Sequence, residues 1–209
     1  WILLLPSRIG HSLIGFPIAI NEMKNKLKWI LIFLGAAALA AALWIFAWSR
    51  GVFLPKWIQW ETKNLEPEKD AGPSSISLKK RRVIVEDQGK TLWESPENVL
   101  VQDFLWCDID HDQTPELILL CWRIGRYGNA RPFWVEHDEL AWSQHIYIYD
   151  WRDEEIHALW MASDIGMDVV SFAFNDTDRL VITETNQRQT SWDWISWGLS
   201  FLKELAPAA

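Results

Sequence analysis

Residues 108–116, Asp-Ile-Asp-His-Asp-Gln-Thr-Pro-Glu, constrain this chain more than any other stretch. Asp108, Asp110 and Asp112 alternate, and Glu116 follows four residues after the third Asp. The apolar runs Val99–Trp106 and Leu117–Trp122 flank them and read as strands, so the acidic stretch reads as the loop of a β-hairpin. Alternating carboxylates on a tight loop can aim at one point, and a later Glu can close an oxygen shell of the kind calcium takes. The spacing differs from an EF-hand, whose bidentate Glu stands at position twelve. The plainer reading is an acid-capped turn, for which Asp is favoured. Three alternating Asp repel one another unless a cation sits among them, and that favours calcium.

Charge is unevenly distributed. Residues 1–83 carry 12 Lys/Arg against 5 Asp/Glu, and residues 84–209 carry 8 against 23. The acidic part is therefore a poor nucleic-acid binder, because phosphate contact needs clustered Lys and Arg. Cys107 and Cys121 lie on the two hairpin strands. A turn centred near Asp112 sets Cys107 beside Ile118 and Cys121 beside Phe104, so the thiols are not opposed and read as small buried apolar groups.

Trp29 to Ser49 is a run of 21 residues without a charge, ended by Arg50. As a helix it is about 31 Å long, close to the hydrocarbon thickness of a bilayer. Lys24, Lys26 and Lys28 precede it, and Trp29, Trp44 and Trp48 lie near its ends, as interfacial aromatics do. The run is long for a signal peptide and no small-x-small cleavage site follows, so an uncleaved anchor is expected over 29–49. Residues 1–28 form a short N-terminal segment in which Met23 would be an ordinary start. Its apolar part, broken by Pro6, Arg8, His11 and Pro17, is a weak second span. Flanking charges nearly balance. Calcium is abundant outside cells, which places the C-terminal part on the extracytoplasmic face of a single-pass membrane protein.

Residues 50–81 read as a juxtamembrane stalk, with polar coil over 61–77 and a basic cluster at Lys79-Lys80-Arg81-Arg82. Beyond it the hydrophobic period becomes two. Segments 82–87, 91–94, 99–106, 117–122, 145–151, 156–161, 168–174, 180–184 and 190–195 all read as strands, and 199–205 is ambiguous. They group as an outer hairpin (82–94), a four-strand unit (99–161) and a degraded second unit (168–205). Four-stranded antiparallel units in series are how propellers are built. The expected fold is all-β: antiparallel propeller-like blades over 82–205, about two to three units in an incomplete ring, behind one transmembrane helix.

With Asp108, Asp110, Asp112, Pro115 and Glu116 followed by Leu117-Ile118-Leu119, and with Ile148-Tyr149-Asp150-Trp151, the domain resembles the FG-GAP or VCBS-type repeats of integrin-α-like propellers and bacterial surface proteins. The resemblance implies a structural calcium ion held by side chains of Asp108, Asp110, Asp112 and Glu116 and by the backbone carbonyl of Thr114. Gln113 stands where the family usually has Gly, at a site that often needs positive φ. The matching turn at Phe174–Leu180 lacks the full acid set.

Residues 123–139 form an insertion longer than a hairpin needs, and long loops on rigid sheets commonly carry binding. Arg126, Tyr127, Arg131 and Trp134 are candidate ligand contacts, able to grip an anionic or sugar-like group by fork hydrogen bonds and stacking. The competing reading pairs these arginines with Glu136, Asp138 and Glu139. The expected function is non-enzymatic: a membrane-anchored cell-surface module that binds a protein or a cell-envelope glycan, with self-association to complete its sheets. The alternative is a glycan-acting enzyme or accessory subunit using the acids of the insertion.

Overall fold

The computed structural model describes residues 16–68, 72–127, 133–162, 164–177 and 179–206. The weak second span falls mostly outside these residues. The chain divides into two compact units after Val52.

Among its described residues, the first unit carries one helix, α1 (Phe16–Ser49). Pro17 lies in its first turn, where a missing N–H costs no hydrogen bond. The helix begins well before Trp29 and takes in Glu22 and three lysines. Glu22–Ser49 is long and apolar enough to cross a membrane, and none of it is buried. A secretion signal shares these properties. The helix closes at Gly51, whose φ of 67° puts it in the left-handed region. There the Val52 N–H donates to Ala47 O (3.1 Å) and the Gly51 N–H to Trp48 O (3.0 Å), satisfying two carbonyls of the last turn.

Among its described residues, the second unit has twelve strands in three open, four-stranded antiparallel sheets, and in each sheet the strands lie in chain order. The first sheet comprises β1 (Lys63–Leu65), β2 (Ser75–Lys79), β3 (Arg82–Asp87) and β4 (Lys90–Glu94). The second comprises β5 (Val99–Cys107), β6 (Glu116–Ile124), β7 (Trp142–Arg152) and β8 (Glu155–Met161). The third comprises β9 (Val169–Phe174), β10 (Leu180–Glu184), β11 (Gln189–Ile195) and β12 (Gly198–Leu205).

The expected stalk over 50–81 is corrected here, because it contains β1 and β2. Ile76 and Leu78 are fully buried and pair with Val85 and Val83, so the expected outer hairpin is a complete sheet. Ser-Ile-Ser-Leu-Lys alternates as a half-buried strand must, within a Pro- and Ser-rich neighbourhood that reads as coil. The region 168–205 is likewise a full sheet, with β12 taking up the ambiguous tail.

The second sheet is the middle layer. Leu117, Leu119 and Cys121 of β6 and Tyr147 and Tyr149 of β7 pack with Ile76, Leu78, Val83 and Val85 of the first sheet. The intervening Ile118, Leu120, Ile146 and Ile148 face the other way and pack with Val169, Phe172, Leu180 and Ile182 of the third. Both faces are covered, which explains why β6 is continuously apolar rather than alternating.

Polar side chains also tie the second sheet to the third. A bulge at Gln102 interrupts the β5–β6 ladder. The Gln102 Nε2 donates to Val170 O (2.8 Å), and its Oε1 accepts from Trp122 Nε1 (3.0 Å) and from Gln144 Nε2 (2.9 Å). Gln144 completes the clamp, its Nε2 donating to Val169 O (2.8 Å) and its Oε1 accepting the Val169 N–H (2.8 Å).

Cys107 and Cys121 are free thiols. Cys107 lies opposite Glu116, and Cys121 opposite Val101. Cys107 is two residues from its expected partner, because the 108–115 turn centres one residue earlier than expected, and Cys121 is three, because the bulge at Gln102 adds one. Burial raises both thiols, Cys107 to about 12 with Glu116 and Asp108 adding to the effect.

Candidate functional site

The 108–115 loop leaves the end of β5 and returns into β6, so the middle sheet positions it. Its own carboxylates fold it. Asp108 accepts the N–H of Asp112 (3.0 Å) on one oxygen and that of Gln113 (2.9 Å) on the other. Asp112 accepts the Thr114 N–H (2.7 Å), and Glu116 accepts the Ile109 N–H (2.8 Å). Ile109 plugs into the core on the third-sheet side and anchors the loop. His111 (φ 63°) and Gln113 (φ 77°) take left-handed backbone. Each costs a residue with a Cβ about 1 kcal/mol or more. The position at which the resemblance calls for Gly is thus one of positive φ.

The loop brings three of the four expected carboxylates together. Asp108, Asp110 and Glu116 each present an oxygen within 4.8 Å of the others. Asp112 stands outside that group, exposed, with Oδ1 held by Thr114. Glu116 is 1 % exposed. Burial pushes its carboxyl up to about 8; the Ile109 N–H opposes this, and Asp110, Asp112 and Asp108 add to it. Asp110 is also raised, by burial first and then by Asp112, against the N–H bond it accepts, with Asp108 and Asp150 contributing. Concentrated negative charge held against burial is the electrostatic setting in which a hard cation binds.

Two neighbours of the loop were not read from sequence. Asp150, near the end of β7, adds its charge to the field at Asp110. On the third sheet, Arg179 lies 3.2 Å from Asp193 and 3.4 Å from His111 Nε2, linking the loop to β10 and β11. Neither has a signature at the sequence level, since both depend on how separate strands align. The matching turn in the third sheet is built differently. Asn175 Oδ1 accepts the N–H groups of Thr177 (3.1 Å) and Arg179 (2.9 Å), a neutral Asx turn.

The insertion between β6 and β7 is pinned by Asp138. Its Oδ1 accepts the N–H groups of Arg126 (2.7 Å), Tyr127 (3.1 Å) and Glu139 (2.9 Å). Arg123 lies 3.8 Å away, and its Nη1 donates to the Tyr147 hydroxyl (3.2 Å). Arg126 reaches Asp164 (3.5 Å) and Glu139 (3.8 Å), and its guanidinium lies 5.6 Å from the Tyr127 ring centre. Arg126 and Tyr127 are thus held together, with the internal pairing of the competing reading. The ring contact of Trp134 is edge-to-face with Phe133, at 4.8 Å. Arg131 lies outside the described residues.

Gly125 makes this pinning possible. Its φ is 96°, and a Cβ there would sit 2.5 Å from Asp138 Oδ2. Gly125→Ala is expected to cost about 1–3 kcal/mol through strained backbone. It should also speed hydrogen exchange at the Arg126 and Tyr127 amides relative to the strands, as mass spectrometry would detect.

No family model, curated protein or solved structure matches this chain.

Proposed function

We propose that this chain is a membrane-anchored, extracytoplasmic β-repeat module whose middle sheet is stapled by one calcium ion, and which binds a protein or a cell-envelope glycan. The observation that carries the reading is the convergence of Asp108, Asp110 and Glu116 at one end of the sheet that both outer sheets pack against. Asp112 and the Thr114 carbonyl belong to the same loop, and turned inward they would complete the oxygen-rich set that calcium prefers over softer metals. Three four-stranded meanders in chain order, stacked face to face, support the propeller-blade reading and the resemblance to FG-GAP or VCBS-type repeats. Glu22–Ser49 would supply the anchor. Asp138 would be a main acid of a glycan-cleaving site, yet its carboxylate is committed to backbone N–H groups, and this favours binding over catalysis.

The test is thermal melting of the full chain in detergent, with millimolar calcium or with EDTA. Calcium at a hundredfold excess over its dissociation constant stabilises by about 2.7 kcal/mol. For a domain of this size that raises the midpoint by roughly 5–10 °C. Asp110→Ala should abolish the rise. A midpoint that calcium leaves unchanged in the unsubstituted protein refutes the staple.

A further inference from the structure

One end of the β unit differs from the other in chemistry. At that end the chain arrives through residues 53–62, β2 turns into β3, the insertion joins β6 to β7, and β8 connects to β9. Backbone contacts hold these pieces together. The Glu61 N–H donates to Gln102 O (2.9 Å), Val101 N–H to Arg81 O (2.9 Å), Asp164 N–H to Arg126 O (3.1 Å), and Ile165 N–H to Gln144 O (3.1 Å). Trp57 packs on Trp122 at 5.8 Å, and Ile58 is buried. The opposite end bears the acidic loop and the turns at 153–154 and 175–177.

The arriving end displays large apolar side chains where water would otherwise be. Phe133 is 95 % exposed, Leu140 83 % and Trp134 71 %, three large apolar groups in one insertion, whereas the opposite end exposes Trp197 at 75 %. Phe133 and Trp134 pack on each other, and exposed apolar groups in an insertion that Asp138 pins to the sheet mark an interaction surface. Lys56, Lys79 and Lys80 are exposed at the same end, and Arg81 stacks over Trp60 at 4.1 Å. These are the only exposed lysines grouped on an otherwise acidic unit among its described residues apart from Lys90 and Lys203. Aromatic rings and lysines on one end of a domain are the pattern of a headgroup-level membrane contact.

Covalent reach supplies the partner. From Arg50, which closes the uncharged run, to buried Ile58 is eight residues, at most about 29 Å when extended. A tether this short keeps the β unit at high effective concentration beside any bilayer the helix spans, so even a weak surface affinity is realised.

We infer that the arriving end of the β unit docks on the lipid surface, with Phe133, Trp134 and Leu140 at the boundary between headgroups and acyl chains and Lys56, Lys79 and Lys80 facing anionic headgroups; this rests on the anchor reading above. Glu139 keeps Arg126 as its counter-ion. Glu61, Glu97 and Glu136 are exposed at this end too and oppose anionic lipid, so lipid charge is varied in the test.

The experiment uses the full chain reconstituted into vesicles, with one introduced cysteine carrying an environment-sensitive nitrobenzoxadiazole dye. Burial raises both native thiols, so the introduced one takes the label. Dye at Phe133→Cys, or at Leu140→Cys should the first variant fail to fold, should shift to the blue. Nitroxide-labelled phosphatidylcholine should quench it at least threefold more than dye at Trp197→Cys on the opposite end. Adding phosphatidylglycerol should increase that quenching, and Lys79→Glu with Lys80→Glu should reverse the increase. Quenching equal at 133 and 197, in protein that floats with the vesicles, overturns the docking and leaves the anchor standing. Protein that does not float overturns both. Quenching indifferent to phosphatidylglycerol removes the lysines from the contact.

Discussion

Gln144→Leu is expected to destabilise the β unit by about 3 kcal/mol, a large effect for an apolar substitution of similar size at a buried site. The site is 3 % exposed, and Leu fills nearly the same space, so burial of apolar area argues for a gain. Hydrogen bonding argues the other way and wins. Gln144 gives the Val169 N–H its acceptor and donates to Val169 O and Gln102 Oε1. Leu removes three bonds worth about 1 kcal/mol each and strands a buried N–H at a further cost of about 1–3 kcal/mol, against which better apolar burial returns part. Gln102 retains Val170 O and Trp122, so a second substitution, Gln102→Leu, should cost less than additively in the Gln144→Leu background. Urea unfolding measures both. The midpoint should fall with the slope unchanged, and exposed Gln59→Leu should stay within about 0.5 kcal/mol of the parent. A Gln144→Leu protein as stable as the parent would mean the second and third sheets are held by apolar packing alone.

That clamp is also where the sequence is least legible. The runs Leu117–Trp122 and Ile146–Tyr149 announce buried strands because the hydrophobic effect acts on every residue of a layer covered on both faces. The acidic loop is legible for a similar reason, since its geometry is local and spacing alone brings Asp108, Asp110 and Glu116 together. Gln102 and Gln144 carry no such mark. A glutamine in an apolar strand reads as a tolerated polar residue, and its worth depends on the third sheet presenting the Val169 backbone opposite it. β1 shows the same limit. It is three residues long and half exposed, and it is held by Lys63, which pairs with Asp103 (2.5 Å) and lies 4.5 Å from the centre of the Phe104 ring. Nothing in Lys-Asn-Leu signals a strand. β2 was recoverable, because Ile76 and Leu78 alternate ahead of the Lys80-Arg81 turn and mirror Val83 and Val85 beyond it. Insertion tips are illegible for a further reason, in that composition could equally have paired Trp134 with Arg126, and it packs on Phe133 instead.

Calcium affinity should rise about tenfold per pH unit from roughly pH 6 to 8 and level off above. The reason is Glu116. In the metal-free protein its folded pKa is raised from 4.5 to about 8, by burial first, so near neutrality the buried carboxyl holds its proton. A cation needs the carboxylate, and binding must therefore release that proton, which gives a slope of one in log affinity against pH below the folded pKa. The sign of the metal-free stability follows from the same shift. A carboxyl raised on folding stabilises the native state fully below its unfolded pKa of 4.5, and that contribution is lost as pH rises through about 8. In EDTA the melting midpoint should fall between pH 5 and 9, whereas with saturating calcium it should hold or rise. Glu116→Gln separates the two effects. The amide oxygen can still accept the Ile109 N–H at the loop's base, so the fold is kept while the titrating group is lost. That variant should show a flatter metal-free profile and little response to calcium at any pH, because one of the three converging carboxylates is gone. Isothermal titration in two buffers of different ionisation enthalpy counts the released proton directly. If the calcium affinity of the unsubstituted protein is the same at pH 6 and pH 8, Glu116 does not ligate, and any bound ion is held by the aspartates without it.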